Sequence, residues 1–108
     1  MEKKAQEAVG KLQVLEQNMQ QIEIQKQQFT AQLLEIENAL KELETAPEAY
    51  KLLGNILVKT EPKSLKSELC EKQERLKIHI SVIDKQEKQL SDKTEKLRKE
   101  ILGTIKTE

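Results

Sequence analysis

Ala5, Ala8, Leu12, Leu15, Met19, Ile22, Lys26, Phe29, Leu33, Ile36, Leu40 and Leu43 follow one another in alternating steps of three and four. An α-helix turns once in about 3.6 residues, so this spacing lays the side chains along one stripe. Such a stripe asks for a partner helix against it. The repeat runs over more than five heptads with a single polar interruption, Lys26. A helix over residues 1–45 is therefore predicted, about 65 Å long at 1.5 Å per residue. Pro47 ends it, because the residue before a proline is pushed toward extended backbone, and the helix is expected to stop near Thr45.

A second helix is predicted over residues 62–104, opened by Pro62, which suits a first helical turn. Leucine or isoleucine recurs there at every seventh residue: Leu69, Leu76, Ile83, Leu90 and Leu97. The companion column, Gln73, Ile80, Glu87, Thr94 and Ile101, is poorer in apolar groups. Two arms of near-equal length joined by a short connector fold back antiparallel. The seam is expected to loosen toward the middle and the end of the second arm. Helix order is expected to fade at Gly103 and the β-branched Thr104-Ile105.

Between the arms, residues 49–60 have a different period. Tyr50–Leu53 and Ile56–Thr60 are short runs rich in strand formers, and Gly54-Asn55 fits a two-residue type II′ hairpin turn. That turn sets Leu53 opposite Ile56 and Leu52 opposite Leu57. One face of the hairpin then carries Leu53, Ile56 and Val58, and the other carries Tyr50, Leu52 and Leu57. A lone hairpin is marginal in water, and both of its edges are open to pairing. With two apolar faces, it is expected to pool with the hairpins of other chains in a shared sheet or barrel. The fold class is thus mainly α: a long antiparallel two-helix coiled coil whose helices are joined by one β-hairpin. Residues 1–108 are read as a single domain.

Composition agrees with long helices. Aromatic residues make up 2% of the chain and charged residues 35%, too few large side chains for an ordinary globular core and typical of coiled coils. Residues 1–46 carry five Lys against eight Glu, and residues 63–108 carry twelve Lys or Arg against nine Asp or Glu. The arms thus differ in sign, which favours their lying together. No basic block is dense enough for nucleic acid. The glutamines along the first arm read as solvated helix surface, or alternatively as a soft contact surface of weak selectivity. One cysteine forms no disulfide within the chain and fits a reducing compartment. No apolar run approaches a membrane span, and no signal peptide is evident, so a soluble intracellular protein is expected.

Catalytic chemistry is hard to find. His79 stands alone beside the seam with no Cys, Asp or second His at ligand spacing, so no metal is expected. Cys70, next to the seam at Leu69, is expected to be partly buried. The three glycines are isolated and form no phosphate loop. The carboxylates lie on solvated faces. The chain is not expected to be an enzyme or to take a cofactor. Apolar residues off the seam are Val9, Val14, Ile24, Leu34, Ile78, Val82, Leu102 and Ile105, and four of these eight lie near a terminus. Antiparallel arms bring both termini to one end. Val9, Val14, Leu102 and Ile105 can therefore make a small apolar tip.

The order helix, proline-containing turn, Tyr50-Lys51-Leu52-Leu53-Gly54-Asn55-Ile56-Leu57-Val58-Lys59, helix resembles a β-type prefoldin subunit. The likeness spans the chain and is most specific at Tyr50-Lys51, Gly54 and Leu57-Val58-Lys59. A single hairpin is similar to the β class, since α-type subunits have a second one. The connector Thr45-Ala46-Pro47-Glu48 is shorter than the acidic one of many archaeal members, so the archaeal and the eukaryotic β classes both stay open. The resemblance implies a hetero-hexamer of two α-type and four β-type subunits, joined by β-barrels made from hairpins. It implies a cytoplasmic, ATP-independent holdase whose coiled-coil tips bind unfolded clients and hand them to a group II chaperonin. On this chain the oligomerisation hairpin would use Tyr50, Leu52, Leu53, Gly54, Ile56, Leu57 and Val58. The client-binding tip would use Val9, Leu12, Val14, Ile101, Leu102 and Ile105. Lys93, Lys96, Arg98 and Lys99 are candidates for chaperonin contact or, alternatively, a solvated helix face. The rival reading is a structural coiled-coil scaffold or tether. It explains the heptads and gives the two-faced hairpin no role.

Overall fold

The computed structural model describes residues 2–107, and the side chains of residues 3–103. In chain order it consists of α1 (Glu2–Leu43), β1 (Ala49–Leu53), β2 (Ile56–Thr60) and α2 (Pro62–Thr107). The two strands pair antiparallel as a two-stranded sheet.

α1 ends at Leu43, two residues before the expected Thr45. Its last carbonyls are taken up by a tightened turn. The Glu44 N–H donates to Lys41 O at 3.3 Å and the Thr45 N–H to Glu42 O at 3.4 Å, both three residues back. Such bonds satisfy the orphan carbonyls of a helix end. Lys41 in the last turn complements the negative end of the helix dipole.

α2 starts where expected. Glu61 O accepts from the Leu65 N–H at 3.0 Å, closing the first helical ring around Pro62, whose missing N–H is no loss in the first turn. At the other end the expectation fails, because α2 runs on through Gly103 and Thr104 to Thr107. Gly103 does not adopt a positive φ, so it makes no left-handed cap. One glycine costs a helix only about 1 kcal/mol relative to alanine, and no proline follows to break the chain of hydrogen bonds.

Burial follows the heptads. Each stripe position of α1 from Ala5 to Leu43 is buried or half-buried, while Gln6, Gln13, Glu23 and their neighbours on other faces are exposed. In α2 both columns are at least half-buried, including the polar Gln73, Glu87 and Thr94.

The chain divides into two compact units. Residues 28–80 form one, with the hairpin and the helical stretches that flank it. Its buried apolar side chains are Ile36, Ala49 and Leu76. There the His79 ring, on an exposed residue, stacks on Phe29 of the stripe, with centroids 5.4 Å apart and planes 7° from parallel. Residues 1–27 and 81–108 form the other unit. Ile83 and Thr94 are buried in it. The Thr94 hydroxyl donates to Leu90 O at 2.7 Å, which satisfies a polar group that the seam would otherwise strand.

Candidate functional site

The hairpin is built as its sequence requires. Strand register pairs Leu53 with Ile56, Leu52 with Leu57, Lys51 with Val58, Tyr50 with Lys59 and Ala49 with Thr60. Gly54 has φ of 60°, and Asn55 is not in the positive region. A positive φ at the first turn residue alone marks type II′, since type I′ needs it at both.

Pairing fixes two faces, and the chain covers only the base of one. Ala49 is buried, and Lys51 and Thr60 are half-buried. Toward the turn the same face opens, leaving Leu53, Ile56 and Val58 exposed. On the other face Tyr50, Leu52, Leu57 and Lys59 are exposed along its whole length. This is a contiguous apolar surface on both sides of a two-stranded sheet, of the kind that marks an interaction site.

Charged groups anchor the base. The Tyr50 hydroxyl donates to Glu48 Oε2 at 3.1 Å, and Lys59 Nζ lies 3.8 Å from Glu48 Oε1. Lys51 forms a hydrogen-bonded ion pair with Glu68 of α2. That hydrogen bond holds the Glu68 carboxyl below its ordinary range, against partial desolvation and helped by the charges of Lys51 and Lys72. Anchors at the base and leucines near the turn point the apolar part of the hairpin away from its own chain.

The second candidate surface lies in the unit made by residues 1–27 and 81–108. Ala5 and Ala8 of α1 share a groove with Leu97 and Ile101 of α2, rimmed by Lys4, Lys11 and Glu100. Alanines leave the seam shallow there. Val9, with Ala5, Gly10 and Gln13, lines an adjoining apolar hollow. Val9, Val14 and Leu102 are exposed, whereas Leu12 and Ile101 are half-buried in the seam. The Ile105 side chain lies outside the described residues. Ala5, Ala8 and Leu97 fall within the two end stretches, 1–15 and 97–108, from which a tip is expected, and alanine at consecutive stripe positions is the signal that marks a shallow seam. Of the basic residues nearby, Arg98 pairs with Glu16 at 3.0 Å.

Cys70 is exposed, not partly buried as expected. It follows the stripe residue Leu69, and the helix has already turned it toward solvent. Among the described residues no group of His, Cys, Asp and Glu is arranged to hold a metal ion. No helix there is long and apolar enough to cross a membrane.

A family model described as prefoldin subunit matches residues 6–108. The chain belongs to the prefoldin subunit family. It is similar to the prefoldin subunit beta of Pyrobaculum islandicum, 36% identical over 99 residues that cover 89% of this chain and 79% of the relative. It is 33% identical over 101 residues to the prefoldin subunit beta of Pyrococcus horikoshii, covering 91% of this chain and 86% of that one. The crystal structure of the prefoldin beta subunit from Thermococcus strain KS-1 superposes with a TM-score of 0.85 at 33% identity, covering 94% of this chain and 91% of that chain. Two long helices with one hairpin between them are thus a prefoldin architecture, and the resemblance carried by Tyr50–Lys59 is borne out. Membership brings with it the co-chaperone role of prefoldin and assembly with other prefoldin subunits. The reading as a structural tether is not favoured.

Proposed function

We propose that the chain is a β-type subunit of a hetero-hexameric prefoldin. Its hairpin joins it to an α-type subunit and to further β-type copies. Its arm ends hold unfolded polypeptide without ATP in the cytoplasm, and the held client passes to a group II chaperonin. The observation that carries this reading is the hairpin, which is well formed, anchored at its base and exposes apolar side chains on both faces toward its turn. Its β-edges and leucines are satisfied when the sheet continues into other chains.

Client holding follows from weak contacts used several at a time. Val9, Val14 and Leu102 each offer partial apolar burial worth about 1–2 kcal/mol. Arms gathered on one base present several such patches to one client, and effective concentration multiplies them. Weak single contacts also allow release. The test is a light-scattering assay with a chemically unfolded protein diluted into the chain mixed with an α-type prefoldin subunit. Suppressed aggregation without nucleotide supports the reading, and aggregation equal to buffer alone overturns it.

A further inference from the structure

Lys26 interrupts the apolar stripe of α1, and Glu87 holds a polar position in the weaker column of α2. The structure sets them against each other. Lys26 Nζ lies 3.3 Å from Glu87 Oε1 and 2.9 Å from Asp84 Oδ1. Glu87 is half-buried and its second oxygen is buried. Hydrogen bonds to Asp84 first and to Glu87 next hold the Lys26 ammonium protonated above the usual lysine range. Each side chain is a misfit in an apolar seam, and each is the other's partner.

We propose that Lys26, Asp84 and Glu87 form a register key that fixes the stagger of α1 against α2. The key thereby decides which side chains stand together at the chain ends. The proposal rests on seam geometry alone and stands apart from the chaperone reading.

A heptad repeat is nearly blind to a slip of seven residues, because apolar positions meet apolar positions again. Such a slip moves one helix by about 10 Å along the other. The polar positions are what it disturbs. Lys26 would meet Ile80 and Lys77 after a slip one way, and Thr94 and Ser91 after a slip the other way. Glu87 would face Leu33 or Met19. Either slip strips a carboxylate in the seam of its cation and puts it against apolar side chains. A carboxylate with one buried oxygen left facing apolar side chains without its cation is unfavourable. A polar residue at one stripe position is an effective way to select one register among several. The exposed Glu16–Arg98 pair favours the same stagger, but an exposed pair adds little. The native stagger is the one that brings Ala5 and Ala8 beside Leu97 and Ile101.

The test separates register from stability. Spin labels are placed at the exposed positions Glu23 and Lys99 in a Cys70→Ser background, and the labelled chain is diluted into unlabelled chain so that distances within one chain are read. Pulsed dipolar spectroscopy is expected to give one narrow distance. In Lys26→Leu/Glu87→Leu the thermal midpoint holds or rises, while a second population appears, displaced by about 10 Å. The charge-swapped Lys26→Glu/Asp84→Lys/Glu87→Lys returns to one distance. A single narrow distance in the double-leucine variant overturns the proposal. So does a charge-swapped variant that stays as heterogeneous as the double-leucine one.

Discussion

Leu52 and Leu57 face each other across the hairpin, and each keeps about two-thirds of its surface in solvent, 66% and 67%. Opposed leucines on neighbouring strands are a stabilising cross-strand pair. Here that pair leaves most of its apolar area unburied, open to contact with another chain. Leu57→Asp would carry a charge into that contact. Sedimentation velocity is expected to show species smaller than the hexamer, with far-ultraviolet helicity unchanged. An intact hexamer would exclude the hairpin from assembly.

Leu76 is buried in the seam and Ile78, two residues on, is exposed. Leu76→Ala should destabilise the fold by about 2–3 kcal/mol through lost transfer energy and the cavity left behind. Ile78→Ala should stay within about 0.5 kcal/mol of the parent. Chemical denaturation of the two variants checks both values.

The stripe and the hairpin are legible in the sequence because both are periodic. Steps of three and four pick out the buried side of α1, and the two-residue turn at Gly54-Asn55 is enough to pair Leu52 with Leu57. The long-range partners are not legible. A heptad pattern repeats every seven residues and leaves the stagger open, so Lys26 and Glu87 stand out separately as misfits without being matched. Phe29 and His79 escape for the same reason. The helix ends depend on local competition. Tightened hydrogen bonds after Leu43 stop α1 early, and a lone Gly103 is too weak to stop α2. Cys70 shows how sharply exposure changes one residue off the stripe.

Glu68 gives the hairpin anchor a pH dependence. Its carboxyl titrates lower in the folded chain than in the unfolded one, chiefly because Lys51 hydrogen-bonds to it. Its contribution to stability is therefore fully present above the unfolded value and lost as pH falls through the folded one. Protection of the β1 amides, the observed exchange set against the intrinsic rate at each pH, should fall over that acidic range. In Glu68→Gln the same protection should already be lower at neutral pH and should lack that acid step. An unchanged acid step in the variant would assign the anchor to another group.

Among the residues proposed for the tip, Val9, Val14 and Leu102 are exposed, while Leu12 and Ile101 also hold the seam. Replacing Val9, Val14 and Leu102 together by Ser isolates client contact from arm stability. Aggregation suppression should fall several-fold, with the thermal midpoint and the hexamer mass retained. Undiminished suppression by such a hexamer would place client contact elsewhere. Leu12→Ser/Ile101→Ser should instead lower suppression and arm stability together.

Whether the unsatisfied hairpin makes this chain a subunit is read from native mass measurement of the chain alone and mixed with an α-type prefoldin subunit. Mixing is expected to produce a hexamer containing both chains. A stable dimer of this chain that ignores the α-type subunit would contradict it.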